Sequence, residues 1–332
     1  MNLNAVAERA GVSVATVSRV INNREGVSRA KAEEIRQIIN ELGFVPKPRA
    51  ARISSPQFPE GVRYGNIAVL VLGQGYVGAA ELFVRQLGPI CRGLSRFGIA
   101  PIVCLDVQTP KEMPVILQKK QIDGILIFGD MNDMLRDYFD GIPVFWMTSH
   151  HEGSDTLILT GNREVGHLGA RYCHEKGCRK VVAIGAHQGP EVWTSRCEAF
   201  AEMAKGFSME SSLLLGGVLP DMEASIDQVV VENADLFQAA DGIFFQADRL
   251  AAYAYPALHR VGVFDAGKKP VVISCGGERS YLSGLSPRPV SIDIGADLLG
   301  KQAVEQILWR IRYPEETRHF SVVIQPEIVD PF

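Results

Sequence analysis

The N-terminal stretch Leu3–Asn22, LNAVAERAGVSVATVSRVIN, constrains the fold more than any other part of the chain. Its first half carries apolar residues at the spacing of one helix face: Leu3, Val6, Ala7 and Ala10. Gly11 interrupts this pattern, and the hydroxyl of Ser13 can accept a hydrogen bond from an amide of a following helix. The stretch therefore predicts two short helices joined by a tight turn, a helix-turn-helix.

The second of these helices has a buried side and a polar side. Three residues at helical spacing form the buried side: Val17, Val20 and Ile21. The residues left on the other side are Val14, Ala15, Thr16, Ser18, Arg19 and Asn22. They offer methyl groups, hydroxyls, an amide and a guanidinium, which are groups that read base edges in the major groove of DNA. An ordinary helical hairpin with a solvated face is the alternative.

Residues 1–55 resemble the headpiece of the LacI/GalR family of transcription regulators, over the run NAVAERAGVSVATVSRVINNREGVSRAKAEEIRQIINELGFVP. A third helix is predicted over Arg29–Leu42, with Ser28 as its cap and Gly43 after its end. The resemblance implies a hinge helix that orders on operator DNA and inserts an apolar side chain into the minor groove. To the face of the second helix it adds the DNA-contacting residues Leu3, Ser28, Arg49, Ala50 and Ile53.

Charge is unevenly spread along the 332 residues, whose net charge is −4. Residues 1–59 hold nine Lys/Arg and five Asp/Glu, a net of +4, which leaves −8 for the remainder. A basic head on an acidic body fits a small DNA-binding module attached to a domain that avoids DNA. Six scattered cysteines and the lack of a visible secretory signal predict a cytoplasmic protein, and no apolar run is long enough for a membrane span.

The composition changes at residues 47–65, which contain three prolines and no sustained periodicity. We therefore predict a headpiece over 1–46, a hinge over 47–63 and a body over 64–332. In the body, short apolar runs alternate with helical segments, the pattern of parallel α/β sheets. The predicted strands are 67–72, 102–105, 123–128, 143–147, 180–185, 212–217, 242–245 and 270–274. The fold class is thus a small all-α headpiece followed by two doubly wound parallel-sheet lobes.

The family resemblance continues in the body and implies a periplasmic-binding-protein-like effector domain of type I. It rests on Asn162 with Gly166, Ser195-Arg196 with Phe200, Asp248 before Ala251, and Leu299-Gly300 with Ala303. The chain departs from the family pattern at Gly161, Ala247 and Gly276-Gly277-Glu278. Lobe 1 is assigned to about 64–160 plus 291–318, and lobe 2 to about 161–290 plus 319–332.

The carboxyl ends of both sheets should face a shared cleft, where a small ligand is expected. Trp193 and Arg196 open a helix at this point in the second lobe. An indole offers a flat face to a sugar ring, and a guanidinium offers a planar fork to hydroxyls or a carboxylate. The predicted effector-binding residues are Tyr76, Trp146, Trp193, Arg196, Asp248 and Glu278.

Two patterns favour other chemistry. Gly73–Gly78, GQGYVG, matches the GxGxxG fingerprint of dinucleotide-binding folds, with Asp106 ending the next strand, and makes a nucleotide-binding oxidoreductase the alternative function. His167, Cys173, His174 and Cys178 lie close in sequence, but a helix does not bring all four to one point, so we expect no metal site. No cofactor and no catalytic residues are expected either.

These observations predict a transcriptional repressor that is not an enzyme. It would bind a roughly palindromic operator as a homodimer, with two recognition helices in successive major grooves. A small molecule, a sugar or sugar derivative, would bind between the lobes and change operator affinity, because the two binding events are reciprocally linked. Whether the effector releases or recruits DNA stays open at this level.

Overall fold

A computed structural model describes residues 3–21, 25–42, 58–72, 80–147, 156–186, 191–216, 221–265, 267 and 269–329. The chain divides into two compact units, Met1–Pro56 and Gln57–Phe332. The unit boundary falls within the stretch 47–63 that the sequence analysis assigned to a hinge. Within the described residues, no helix combines the length and apolar character that crossing a membrane would require.

The N-terminal unit contains three helices: α1 (Leu3–Arg9), α2 (Val14–Ile21) and α3 (Arg29–Glu41). Gly11 adopts a φ of +62°, in the left-handed region that favours glycine, so the chain can turn sharply between α1 and α2. The Ser13 hydroxyl accepts a hydrogen bond from the Thr16 amide, and Ser28 caps α3 by accepting from the Lys31 amide. The core consists of Val6, Ala7, Ala10, Val17, Val20, Ile35 and Ile39. The predicted helix-turn-helix is confirmed.

The first lobe of the body is built on a six-stranded parallel sheet. Its strands are β1 (Asn66–Val71), β2 (Ala100–Leu105), β3 (Gly124–Phe128), β4 (Val144–Trp146), β5 (Leu157–Thr160) and β11 (Ser321–Ile324), in the spatial order β11-β5-β4-β3-β1-β2. The helices are α4 (Ala80–Arg96), α5 (Val115–Gln118), α6 (Asp133–Tyr138) and α13 (Ala296–Arg312). β3 is buried along its whole length, because helices cover both faces of the sheet.

The second lobe repeats this architecture. Its strands are β6 (Lys180–Ala186), β7 (Glu210–Gly216), β8 (Gly242–Phe245), β9 (Val271–Cys275), β10 (Val290–Asp293) and β12 (Glu327–Val329), in the order β12-β10-β9-β8-β6-β7. Only β12 is antiparallel to its neighbour. The helices are α7 (Asn162–Glu175), α8 (Glu191–Gly206), α9 (Met222–Glu232), α10 (Ala234–Ala239), α11 (Asp248–Arg260) and α12 (Arg279–Leu282). The predicted fold class, two doubly wound α/β lobes, is confirmed.

The structure corrects the predicted lobe boundaries at the C-terminal end. β10, predicted for the first lobe, pairs with β9 in the second, and β11, predicted for the second lobe, pairs with β5 in the first. The chain therefore crosses between lobes three times, and hydrogen bonds join the crossings: Thr160 Oγ1 donates to the Ile294 carbonyl, and the Gly161 amide donates to the Ile324 carbonyl. A short apolar strand has no local feature that selects one of two similar sheets, so only tertiary pairing decides this point.

Candidate functional site

The DNA-reading face predicted for the N-terminal unit lies on α2. Val14, Ala15 and Arg19 are exposed, whereas Val17 and Val20 are fully buried against the other two helices. Thr16 is half-buried, and its hydroxyl is hydrogen-bonded to that of Ser13 at 2.9 Å. Ser18 is half-buried as well, and Ser28 is exposed at the start of α3. The predicted recognition residues that the structure describes on α2 therefore share a face that is separate from the core.

Several predicted site residues lie outside the described part of the chain. These are Asn22, Arg49, Ala50, Ile53 and Tyr76, together with the side chains of Leu3 and Trp193. The GxGxxG segment at 73–78 also lies outside the described residues. Their assigned roles remain predictions.

Arg196 lies where the carboxyl ends of the second-lobe strands converge. It extends from α8 and is only 8% exposed. Its Nε donates to Asn162 Oδ1 at 2.7 Å, and its Nη1 donates to the Gln246 carbonyl at 3.0 Å and to Cys275 Sγ at 2.9 Å. Nη2 makes no hydrogen bond to the residues that the structure describes. The guanidinium is thus held through Nε and Nη1, while Nη2 bonds none of the described residues.

Gly166 explains how α7 and α8 bring Asn162 and Arg196 together. A Cβ at Gly166 would lie 2.2 Å from the Arg196 carbonyl oxygen and 2.6 Å from the Phe200 amide nitrogen, so only glycine allows the two helices to approach this closely. The close approach places the first residue of α7 within hydrogen-bonding distance of the Arg196 side chain.

A small cavity lies next to Arg196, between α4 of the first lobe and the strand ends of the second lobe. Its wall includes Leu82, Arg196, Gln246, Arg249, Glu278 and Tyr281. The cavity holds only about 60 Å³, whereas sites for small ligands typically enclose ~300–1,000 Å³. The cleft is therefore closed in this structure, and a sugar-sized ligand requires the lobes to separate.

The structure corrects the role predicted for Asp248. Its side chain is fully buried behind the cavity wall rather than in it. The carboxylate accepts hydrogen bonds from the hydroxyls of Ser274 and Ser291 and, at 2.7 Å, from the Glu278 amide. Burial raises the pKa of Asp248, although these hydrogen bonds oppose the rise. Asp248 therefore holds the turn between β9 and α12 in place instead of facing a ligand.

Trp146 is also placed differently from the prediction. It is buried in the core of the first lobe with residues such as Leu135 and Phe139, and the Arg136 guanidinium lies 5.3 Å from the centre of its ring. It does not line the cavity beside Arg196. It packs in the first-lobe core, where an indole buries a large apolar area, and it also lines a separate cavity together with Arg136 and Phe139.

Glu278 was predicted to bind the effector, and its carboxyl side chain does line the cavity. It is 4% exposed, and its Oε1 has no hydrogen-bond partner among the described residues. Burial raises the pKa of Glu278 to about 7, and the charge of Asp248 contributes in the same direction. The nearby amide of Leu82, in the first lobe, works against the rise.

A set of charged residues, which we call the cross-lobe clasp, joins the first lobe to the second beside this cavity: Glu81, Arg85, Glu278 and Asp293. The Glu81 carboxylate accepts from the amides of Arg279 and Ser280 at the start of α12. Burial opposes ionisation of Glu81, but these hydrogen bonds outweigh it and lower the pKa of Glu81.

Arg85 provides the other half of the clasp. Its Nη2 donates to both oxygens of Asp293 at 3.1 and 3.2 Å, and its Nη1 donates to the carbonyls of Gly276 and Gly277. No pattern in the sequence pointed to Glu81, Leu82 or Arg85. The only local signal was an acidic residue in the first turn of a helix, which is common wherever a helix begins.

The histidines and cysteines considered as metal ligands do not converge. His174 stacks on Phe207 with ring centres 4.3 Å apart, and Cys173 and Cys178 are buried in the second-lobe core. Among the described residues, no group of three His, Cys, Asp or Glu side chains is arranged to hold a metal ion.

Comparison with known proteins gives a family match for the headpiece. Residues 2–47 match the model of the bacterial regulatory proteins of the lacI family. The chain carries a lacI-family DNA-binding headpiece. Among the relatives that are similar over most of its length, the HTH-type transcriptional regulator GntR of Pseudomonas aeruginosa is 28% identical over 92% of this chain and 88% of its own length. The ribose operon repressor of Halalkalibacterium halodurans is 25% identical over 77% of this chain and 75% of its own.

A solved structure agrees with the fold of this chain. The transcriptional regulator CelR, in a complex with cellobiose, has a TM-score of 0.66 and 21% identity, and covers 99% of this chain and 98% of its own. The sequence relatives named above are transcriptional regulators and not enzymes. At the level of the family, this favours a DNA-binding regulator over the oxidoreductase alternative.

Proposed function

We propose that this chain is a LacI-family transcriptional repressor whose affinity for operator DNA is controlled by a small polar molecule, a sugar or sugar derivative, bound in the cleft between the lobes. The observation that carries the effector site is Arg196, which is held by Asn162 and Gln246 and whose Nη2 makes no hydrogen bond to the described residues. A guanidinium held in this way can bind vicinal hydroxyls or a carboxylate without losing further side-chain entropy. The cellobiose bound to CelR supports a carbohydrate as the ligand class.

The proposed DNA-binding residues remain those of the sequence analysis. Val14, Ala15, Thr16, Ser18, Arg19 and Asn22 would contact base edges, with Leu3 and Ser28 beside them. Arg49 would contact phosphates, and Ala50 or Ile53 would enter the minor groove from the hinge. Such a regulator would act in the cytoplasm, where the chromosome lies.

A homodimer fits the edges of the two sheets. In the described part of the chain, β2 and β7 each pair on one side only. Both strands expose large apolar side chains: Val103 and Leu105 on β2, and Leu213 and Leu215 on β7. An unpaired apolar edge tends to be covered by another chain, and a second copy would supply the two headpieces that a palindromic operator needs.

Ligand control would pass through the clasp and the three crossings. A ligand that enters beside Arg196 must separate α4 from the turn at 276–280, which rotates one lobe relative to the other about the crossings. Because DNA affinity and ligand affinity depend on the same rotation, each changes the other by the same factor.

The experiment is a binding measurement in two stages. First, full-length protein is used to select duplexes from random DNA, and the selected site is tested for two-fold symmetry. Next, anisotropy of a fluorescent duplex carrying that site is followed while sugars are added, with the Arg196→Lys variant as a comparison. A sugar that changes the wild-type affinity at least tenfold and the variant much less supports the proposal. Failure to select any site would contradict it.

A further inference from the structure

The wall of the closed cavity carries a cation and a carboxyl group that do not neutralise each other. The acceptors bound to Arg196 are an amide oxygen, a backbone carbonyl and a thiol, all neutral. The Oε1 of Glu278 has no hydrogen-bond partner among the residues that the structure describes. Neither side chain forms an ion pair with a described residue. Both are more than nine-tenths buried.

An arrangement of this kind is unusual in a protein interior. A buried polar atom without a partner costs free energy, and most such atoms in native proteins are hydrogen-bonded. The turn that carries Glu278 is nevertheless tightly built, since Asp248 binds its amide and Arg85 binds the two preceding carbonyls. The turn therefore keeps Oε1 buried at the wall of the cavity instead of letting it move out to water.

The charges around Glu278 show what kind of partner is missing. Asp248 and Glu81 both act on the Glu278 carboxyl as like charges, and Arg249 is the cation that acts against them. Arg85 is already held by Asp293 and two carbonyls. A positively charged donor that arrives with the ligand would supply a counter-charge and a hydrogen bond at the same atom.

We propose that the effector is a small polar molecule with a protonated amine that binds Glu278 and with oxygen acceptors that bind Arg196. Amino sugars and amino acids share this chemistry. The inference rests on the proposed function, because it specifies the ligand of the same cleft. It also distinguishes Glu278 as the residue that selects among polar ligands, while Arg196 accepts any of them that offers oxygen atoms.

The test uses full-length protein and matched pairs of compounds that differ in one group. The first arm contains glucose, galactose and mannose, each with its 2-amino and N-acetylamino derivative. The second arm contains alanine with lactate and serine with glycerate. Binding is measured by isothermal titration calorimetry. The expected result is that at least one amine binds, and that its uncharged or deaminated counterpart binds at least tenfold more weakly.

Two variants test whether Glu278 causes the preference for the amine. Glu278→Gln keeps the size of the side chain and should reduce affinity for the amine at least tenfold while changing affinity for the matched neutral compound less than threefold. Glu232→Gln removes one carboxylate from the exposed face of α9 in the same lobe and should change neither. Circular dichroism of both variants establishes that they are folded.

Proton release gives a second readout that a purely structural role would not change. The groups facing Glu278 are Glu81 from α4, Arg196 from α8, Asp248 and Arg249 from α11, and Tyr281 from α12. At about pH 6, Glu278 is mostly protonated, so pairing with an ammonium group should release up to one proton. Titrations in two buffers of different ionisation enthalpy should detect this release in the wild type and not in Glu278→Gln.

The outcomes separate the inference from the proposed function. If a neutral sugar binds and its amine does not bind more tightly, or if Glu278→Gln binds the amine as well as the wild type does, the inference is wrong and the sugar-controlled repressor stands. If no compound in either arm binds, both the inference and a carbohydrate effector are contradicted. The inference is supported if an amine in either arm binds more tightly than its counterpart and Glu278→Gln loses this preference. The arm in which the preference appears, sugars or amino acids, identifies the ligand class.

Discussion

Glu81 of the first lobe accepts a hydrogen bond from the backbone amide of Arg279 in the second lobe, at 3.1 Å. The same carboxylate accepts from the Ser280 amide, so both contacts lie at the start of α12. Carboxylates are favourable at helix N-termini because they meet unpaired amides and the positive end of the helix dipole. Glu81 therefore stabilises the closed cleft, and a ligand that separates α4 from α12 must break these hydrogen bonds.

Arg85→Ala should loosen the clasp. The substitution removes a half-buried guanidinium that donates to Asp293 and two backbone carbonyls, and hydrogen bonds to charged groups contribute ~1.5–3 kcal/mol. We expect the free energy of unfolding to fall by that amount in urea titrations. Arg163→Ala is the control, because Arg163 pairs with Glu202 on the exposed surface, where ion pairs contribute ~0–1 kcal/mol. Equal effects of both variants would mean that the clasp does not stabilise the body.

Glu278→Gln should raise stability in a pH-dependent way. The folded-state pKa of about 7 exceeds the ordinary value of 4.5, so between these values the folded protein binds more protons than the unfolded chain. Wild-type stability is therefore lost as pH rises through this window, and the full penalty of ~3 kcal/mol is present above it. Thermal unfolding at about pH 5 and pH 8 checks this. The advantage of the variant should grow toward pH 8, and a constant difference would show that Glu278 titrates normally.

Arg196→Lys should weaken effector binding while the chain still folds. Lysine keeps the charge but cannot reach Asn162, the Gln246 carbonyl and a ligand together, because it lacks the planar fork. Arg196→Ala is expected to lose effector affinity too, and also to destabilise the second lobe, since Asn162 Oδ1, the Gln246 carbonyl and Cys275 Sγ each lose a donor. Calorimetry with the first effector identified, alongside urea titrations, separates these effects. Unchanged affinity in the lysine variant would remove Arg196 from the effector site.

Arg19→Ala should weaken operator binding and reduce sequence specificity. Arg19 is exposed on α2, and an arginine that bonds a guanine edge contributes ~1–3 kcal/mol of discrimination. Anisotropy with operator and with unrelated DNA at the same salt concentration measures both affinities. If the two affinities fell by the same factor, Arg19 would be a phosphate contact.

Leu105→Glu should disfavour the dimer. Leu105 is 62% exposed at the unpaired edge of β2, and a charge buried there by a second copy would lack a partner. Sedimentation velocity of the full chain should show a shift toward monomer. Met134→Glu places the same charge on α6, which follows the interior strand β3, and should leave the oligomeric state unchanged. A dimer that tolerates Leu105→Glu would have to form elsewhere.

The helix-turn-helix and the alternation of strands and helices could be predicted from the sequence alone. Both depend on local chemistry: the spacing of Val6, Ala10 and Val17, the left-handed turn at Gly11, and apolar runs of strand length such as Ile125–Phe128. Arg196 could be placed at the cleft for a similar reason, because it lies near the start of the helix that follows a strand and parallel strands end at one edge of a sheet.

Other features depended on contacts between distant parts of the chain. Trp146 and Asp248 look like ligand contacts in the sequence because they lie at strand ends, but packing buries one in the first-lobe core and hydrogen bonds hold the other behind Glu278. Nothing in the sequence around Glu81 indicates that it bonds Arg279, which lies 198 positions further along the chain. The periodicity of a sequence indicates which side of a helix or strand is apolar. It does not indicate which residue will face that side across a cleft, because the tertiary structure brings the two surfaces together.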